Sequence, residues 1–107
     1  MTGAKISVLY PTPTDVDAFE KVYVDEHMPM AGKGITGAKK FVMMKVSGAA
    51  GGAAPYHRIT EIHFDSLDAL QQSLATPSTQ QVAAHAVQIS SGGPPIFLIG
   101  DHQEIVL

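Results

Sequence analysis

One histidine in this chain stands where an imidazole can do acid–base work. On a helix, Val16, Phe19, Tyr23 and His27 fall within an arc of about 80°, so the ring of His27 continues an apolar stripe that packs against the rest of the fold. Beside apolar groups the charged form of an imidazole is disfavoured, which keeps it neutral and able to accept a proton near neutral pH. That state suits a general base for enolisable or phenolic substrates, where one positioned group contributes about 10²–10⁴ in rate. The competing role is structural: ring nitrogens bonded to neighbouring backbone or to Tyr23, and a cation placed favourably at a helix C-terminus.

The chain carries five histidines, so a metal centre is the next chemistry to weigh. His57 and His63 lie six apart and, by the strand period of two, project to the same face with Ile59 and Glu61 between them. They would stand ~20 Å apart, too far to share an ion, whereas Glu61 and His63 at i, i+2 are close enough. A two-histidine, one-carboxylate centre then needs His27 or His85 from elsewhere. The chain has no helical His-x-x-x-His pair, and the reading adopted is a site with no metal and no cofactor. Arg58 falls on the opposite strand face from Glu61, and both read as solvated or rim residues. Met28, Met30, Met43 and Met44 read as adaptable core filler, and Asp101, His102 and Glu104 mark where the last strand emerges into solvent. No serine sits in a Gly-x-Ser-x-Gly setting, which leaves an esterase without support.

The hydrophobic pattern supplies the elements that position these side chains. Residues 5–10 alternate around β-branched residues and stop at Pro11 and Pro13, predicting a first strand. Thr12 or Thr14 caps the following helix, with Asp15 and Asp17 in its first turn, and that helix runs to about His27. Pro29 ends it, and Gly32, Gly34 and Gly37 read as an open turn. Residues 39–46 and 56–64 predict a strand pair, joined by a mobile Gly/Ala hairpin loop that leads into a strand and so is no phosphate cradle. Asp65 or Ser66 caps a short helix with Leu67, Leu70 and Leu74 as its buried stripe, ending before Pro77. A further helical piece over residues 78–89 presents Val82, His85 or Ala86, and Ile89, and residues 96–100 open a last strand that resumes through 105–107. The order β-α-β-β-α-β is the ferredoxin-like arrangement of the α+β class: a four-stranded antiparallel sheet with helices on one face.

The length of 107 residues predicts one domain spanning 1–107. A net charge of −3, 16% charged residues and no Lys/Arg cluster leave no electrostatic footprint for nucleic acid or an anionic membrane. No apolar run reaches the ~20 residues needed to span a bilayer, and no hydrophobic leader opens the chain, so a cytoplasmic location is expected. The absence of cysteine excludes disulfides and thiolate chemistry. Both faces of several strands are apolar: Ile6, Val8 and Tyr10 oppose Ser7 and Leu9, and Phe41 and Met43 oppose Val42, Met44 and Val46. A face this apolar predicts a second copy covering it, a two-fold homodimer through the open sheet face.

The pattern Phe19-x-x-x-Tyr23-x-x-x-His27-Met28-Pro29, set after a first strand, and Phe64-Asp65-Ser66-Leu67-Asp68-Ala69-Leu70, set after a strand pair, resemble the EthD family. Its members are small proteins of the dimeric α+β barrel group, named for ethyl tert-butyl ether degradation. The resemblance covers nearly the whole chain in element order and matches Tyr23, His27 and Pro29 in particular. It implies a ferredoxin-like protomer, a dimer whose sheets face each other in a barrel, and a cavity between helices and sheet near the helix histidine. It also implies a small cofactor-independent enzyme or accessory protein of oxidative catabolism, with relatives in aromatic polyketide oxidation or cyclisation. On this basis His27 is the catalytic candidate, with Tyr23, Met28, Phe19 and His85 as candidate ligand-binding residues for an apolar or aromatic small molecule. The alternative is a non-catalytic dimeric module that binds or delivers a ligand to a partner oxygenase.

Overall fold

Apolar residues at every second position of β1 (Gly3–Pro11) give it one buried face: Ala4, Ile6, Val8 and Tyr10 are buried and the residues between them are half-buried. The computed structural model describes residues 3–107, and β1 lies at the centre of its sheet. Strands β2 (Lys40–Lys45), β3 (Tyr56–Phe64) and β4 (Ile96–His102) complete the order β2-β3-β1-β4, with every neighbouring pair antiparallel. Val8 faces Thr60 on one side and Phe97 on the other, and Ile6 faces Ile62 and Ile99. This face meets Phe19, Tyr23, Ala31, Leu70, Val82 and Ala86 from the helices, forming one core. The fold is the expected ferredoxin-like one.

The first helical stretch departs from the expectation in three ways. Asp15, not Thr12 or Thr14, is the N-cap of α1 (Val16–Val22), its carboxylate accepting from the Ala18 amide, and Val16 stands exposed in the first turn. Beyond α1 the chain makes a π-helical turn over Tyr23–His27, closed by the Met28 amide donating to the Tyr23 carbonyl five residues back. Nor does the helix end at Pro29, for α2 continues over Met28–Gly34. Proline inside an α-helix lacks a donor and strikes the carbonyl four residues earlier. Here the wide turn leaves room for it, and Pro29 sits in the first turn of the new segment, where its fixed φ is an advantage. Gly34 is needed at the end of α2: a Cβ there would lie 2.8 Å from Val82 Cγ2, so glycine lets α2 close onto the last helix.

Helices α3 (Leu67–Leu74) and α4 (Pro77–Ile89) are capped by Ser66 and Thr76, each accepting from an amide three residues on. Leu70 is fully buried, Leu74 packs on the core and Leu67 is exposed. Strand β3 carries a bulge where Tyr10 faces Arg58 but Pro11 faces Tyr56. The extra residue, His57, therefore breaks the alternation. It reaches Glu20 of α1 with Arg58, whereas His63 lies beside Lys5 and Glu61 on the other sheet face. The expected shared face of His57 and His63 is thus corrected, and so are Arg58 and Glu61 as solvated residues: both are ion-paired and largely shielded. The strand expected over 105–107 does not form: β4 ends at His102, and residues 103–107 carry no regular structure. No helix of the described residues is long and apolar enough to cross a membrane.

The turn after α4 packs its backbone against the end of β1, and a Cβ on Gly92 would fall 1.9 Å from the Thr12 carbonyl oxygen. Gly92→Ala is therefore expected to cost about 1–3 kcal/mol in urea denaturation. Gly48→Ala, in the β2–β3 loop with nothing within 4 Å of the new methyl group, is expected to stay within ~0.5 kcal/mol of the wild type.

Candidate functional site

Between the helices and the sheet lies a cavity of about 170 Å³. Its floor is the inward face of the sheet, Ile6, Val8, Ile62 and Phe41, and its roof is Ala31, Val82 and Ala86 of α2 and α4. Phe97 and Ile99 of β4, both about half exposed, form its outer end. The polar side chains among its lining residues are those of Tyr10, His27, Thr60 and Thr79. An apolar hollow with a few convergent polar groups is what a small-molecule site requires.

His27 is almost fully buried, and both of its ring nitrogens are engaged. Nε2 lies 3.3 Å from the Tyr10 hydroxyl and Nδ1 lies 2.9 Å from Nδ1 of His85. Burial, and then the neighbouring His85, push the His27 pKa down to about 4. The ring is therefore neutral at physiological pH, and because the chain continues into α2 it does not act as a cationic helix cap. Its partners are Tyr10 and His85 rather than backbone or the Tyr23 hydroxyl. Burial, and then Tyr23, raise the Tyr10 pKa, so its phenol stays protonated. The polar end of the cavity thus combines an uncharged base and an uncharged acid.

A frame of side chains holds this pair. Tyr23 stacks between Phe19 and His27 and hydrogen-bonds Thr60, whose side chain also lines the cavity. The Arg58 guanidinium lies 4.8 Å from the Tyr23 ring centroid and forks onto Glu20 at 2.7 and 3.0 Å. His57 adds a third bond to the same carboxylate at 2.9 Å. The hydrogen bond from Arg58 holds the Glu20 carboxyl well below the usual carboxylate range, with His57 assisting.

Of the residues singled out from the sequence, His27 and Met28 line the cavity. Tyr23 and Phe19 stand behind it as packing, since the helix brings them against Tyr10 rather than against open space. His85 also lies outside the cavity wall: its ring lies edge to edge with that of His27, nearly parallel and with centroids 5.1 Å apart, and borders a separate surface recess. The sequence reading missed Tyr10 and Thr60 as site residues. Their signal was parity, because Tyr10 shares the alternation of Ile6 and Val8 and must face the same helix as His27. Among the described residues no group of three or more metal-binding side chains is gathered.

The family model of the EthD domain matches residues 11–90. An uncharacterized 11.0 kDa protein of Rhodococcus erythropolis, from the thcB-thcC intergenic region, is 26% identical over 103 residues, 96% of this chain and 97% of that protein. The crystal structure of an ethyl tert-butyl ether degradation (EthD) family protein from Bacillus halodurans is similar at a TM-score of 0.84 and 25% identity, covering 96% of this chain and 99% of that one. A dimeric ferredoxin-like protein of unknown function from a Jannaschia species shares the fold, with a TM-score of 0.62 and 14% identity over 97% of this chain and 100% of that one.

The lowered His27 pKa fixes a pH dependence of stability. Between pH 6.5 and about 4 the unfolded chain holds the His27 proton and the native state does not, so stability rises with pH across that window and is lost as pH falls. Denaturant titrations at several pH values are expected to show a steeper loss over this window in the wild type than in His27→Gln. Equal slopes would refute a buried neutral imidazole.

Proposed function

The chain belongs to the EthD family, and on that premise we propose that it binds a small apolar or aromatic molecule in oxidative catabolism, with His27 handling a proton of that ligand or orienting it. The observation that carries this reading is the cavity itself: an apolar hollow whose one polar end pairs a neutral imidazole with a neutral phenol. Its size supports the ligand class, because an apolar cavity of about 150 Å³ holds a benzene ring. A one-ring phenol or a branched ether with a single oxygen matches both the volume and the polarity.

Tyr10, kept protonated, donates to the ligand oxygen. His27 Nε2, in the tautomer with the hydrogen on Nδ1, accepts a proton from a phenolic or enolic hydroxyl. With the hydrogen on Nε2 the same ring donates to an ether oxygen and serves only to orient it. The small number of polar groups in the wall favours a second reading, a carrier that delivers its ligand to a partner oxygenase without converting it.

We further infer that a second copy covers the open sheet face. That face exposes Val42, Met44, Ile96 and Leu98, an apolar band more typical of an interface than of a solvated surface. The dimeric description of the Jannaschia protein supports this. Leu98→Glu is expected to shift the protein to a monomer in analytical ultracentrifugation, and an unaltered mass would refute this placement of the interface.

Calorimetry with 4-nitrophenol and with ethyl tert-butyl ether tests the ligand reading. Ala83→Phe, which fills the cavity, is expected to abolish binding, and His27→Gln to weaken phenol binding about tenfold, the loss of one good hydrogen bond. For any ligand turned over in air, His27→Gln is expected to lower the rate about 10²–10⁴-fold. A folded, dimeric His27→Gln that binds and turns over as well as wild type removes His27 from the function, and binding without turnover selects the carrier.

A further inference from the structure

We propose that His27 and His85 form a two-imidazole proton relay, connecting the cavity with a water-accessible recess between the first helix and α4. The proposal rests on the cavity being a proton-handling site and adds the route by which its protons reach water. The geometry is continuous. The Tyr10 hydroxyl meets His27 Nε2 at 3.3 Å, and His27 Nδ1 meets His85 Nδ1 at 2.9 Å, with the two rings inclined by only 18°. His85 is half-buried and borders a recess that also contains Glu26, Asp15 and Gln88, whereas the cavity wall includes His27 but not His85. The two histidines therefore bridge the two spaces.

An Nδ1 to Nδ1 contact demands that one nitrogen carry the hydrogen and the other be bare. Two arrangements satisfy it. In the first, His27 Nδ1–H donates to His85, His27 Nε2 is bare toward Tyr10 and the cavity, and His85 Nε2–H faces the recess. In the second, His85 Nδ1–H donates to His27, His27 Nε2 carries a hydrogen toward the cavity, and His85 Nε2 is bare.

Passage from the first to the second moves one proton. A ligand hydroxyl gives its proton to His27 Nε2, the Nδ1 proton of His27 crosses to His85 Nδ1, and His85 Nε2–H is released to water in the recess. The O–H bond of the ligand breaks, one N–H bond forms and one breaks on each ring, and a proton appears in solvent. Nothing is oxidised or reduced, and no imidazolium persists. That last feature answers a real difficulty. The burial that keeps His27 neutral also makes it a poor resting place for a second proton, so a lone imidazole here would be a weak base. Coupling it to His85 passes the charge outward as fast as it arrives. His85 acts through His27 and is a positioning and relay residue, not one that touches the ligand.

The shared hydrogen is measurable as a scalar coupling across the N–H···N bond between the two Nδ1 atoms in ¹⁵N-labelled protein. Saturation transfer from water then gives the exchange rate of the His27 ring hydrogen. In the wild type the coupling is expected to be present and exchange fast. His85→Asn retains a hydrogen-bonding group near the Nδ1 position yet passes no proton, and it is expected to slow exchange at least tenfold while 4-nitrophenol affinity stays within twofold. His85→Phe, which removes the bond altogether, provides a second variant should the first not fold. Unchanged exchange in a folded variant overturns the relay. Failure of 4-nitrophenol to bind wild type would instead count against the ligand reading, because coupling and exchange are recorded on the free protein.

Discussion

Phe19, Tyr23, His27 and Ala31 repeat at a strict spacing of four, and all four are buried. In a straight α-helix such a row drifts by about 40° at each step, so by Ala31 it would have turned well away from the sheet. The π-helical turn at Tyr23–His27 takes back part of that drift and holds the row over β1. Three features of the site follow from this constraint. It aims His27 at Tyr10, admits Pro29 into a continuing helix, and carries α2 forward so that Ala31 roofs the cavity. The turn costs regular hydrogen bonding, and the aromatic stack of Phe19, Tyr23 and His27 against Tyr10 offsets it.

A second constraint fixes the angle of that helix. Glu20, one residue after Phe19, is gripped by His57 and Arg58, which approach it together because the bulge in β3 breaks the alternation between them. Arg58 simultaneously covers the face of Tyr23, so the ion pair and the aromatic stack are one structure. This arrangement shields the back of the site and leaves its front apolar. Charge is confined to the frame, while the cavity end keeps only neutral groups, which suits proton exchange with an uncharged ligand.

Strand β4 joins the two surfaces on which the functional reading depends. Phe97 and Ile99 face the helices and close the cavity, while Ile96 and Leu98, between them, face the open side of the sheet. A partner pressed against that side would bear on the strand whose other face bounds the ligand space. Membership of the EthD family places this arrangement among proteins of the same fold, and the chemistry argued for it comes from the side chains at the polar end.

The sequence by itself determined the element order, the ferredoxin-like topology and the inward direction of His27. Alternation in β1, its stop at Pro11 and Pro13, and the Leu67, Leu70 and Leu74 spacing of α3 are local signals, and each reads directly as one element, although Leu67 proves exposed. Helical spacing singled out His27, and the family resemblance added weight to its functional reading. Local rules failed where two segments distant in the chain decide the outcome. Pro29 looks like a helix end unless the wide turn before it is known, and His57 looks set on the same sheet face as His63 unless the bulge opposite Tyr10 is known. The contacts of His27 with Tyr10, 17 residues away, and with His85, 58 residues away, have no sequence period to announce them. Only tertiary structure decided them, because packing of helices on a sheet chooses which buried polar atoms meet, and a buried imidazole accepts whichever partners that packing brings within reach.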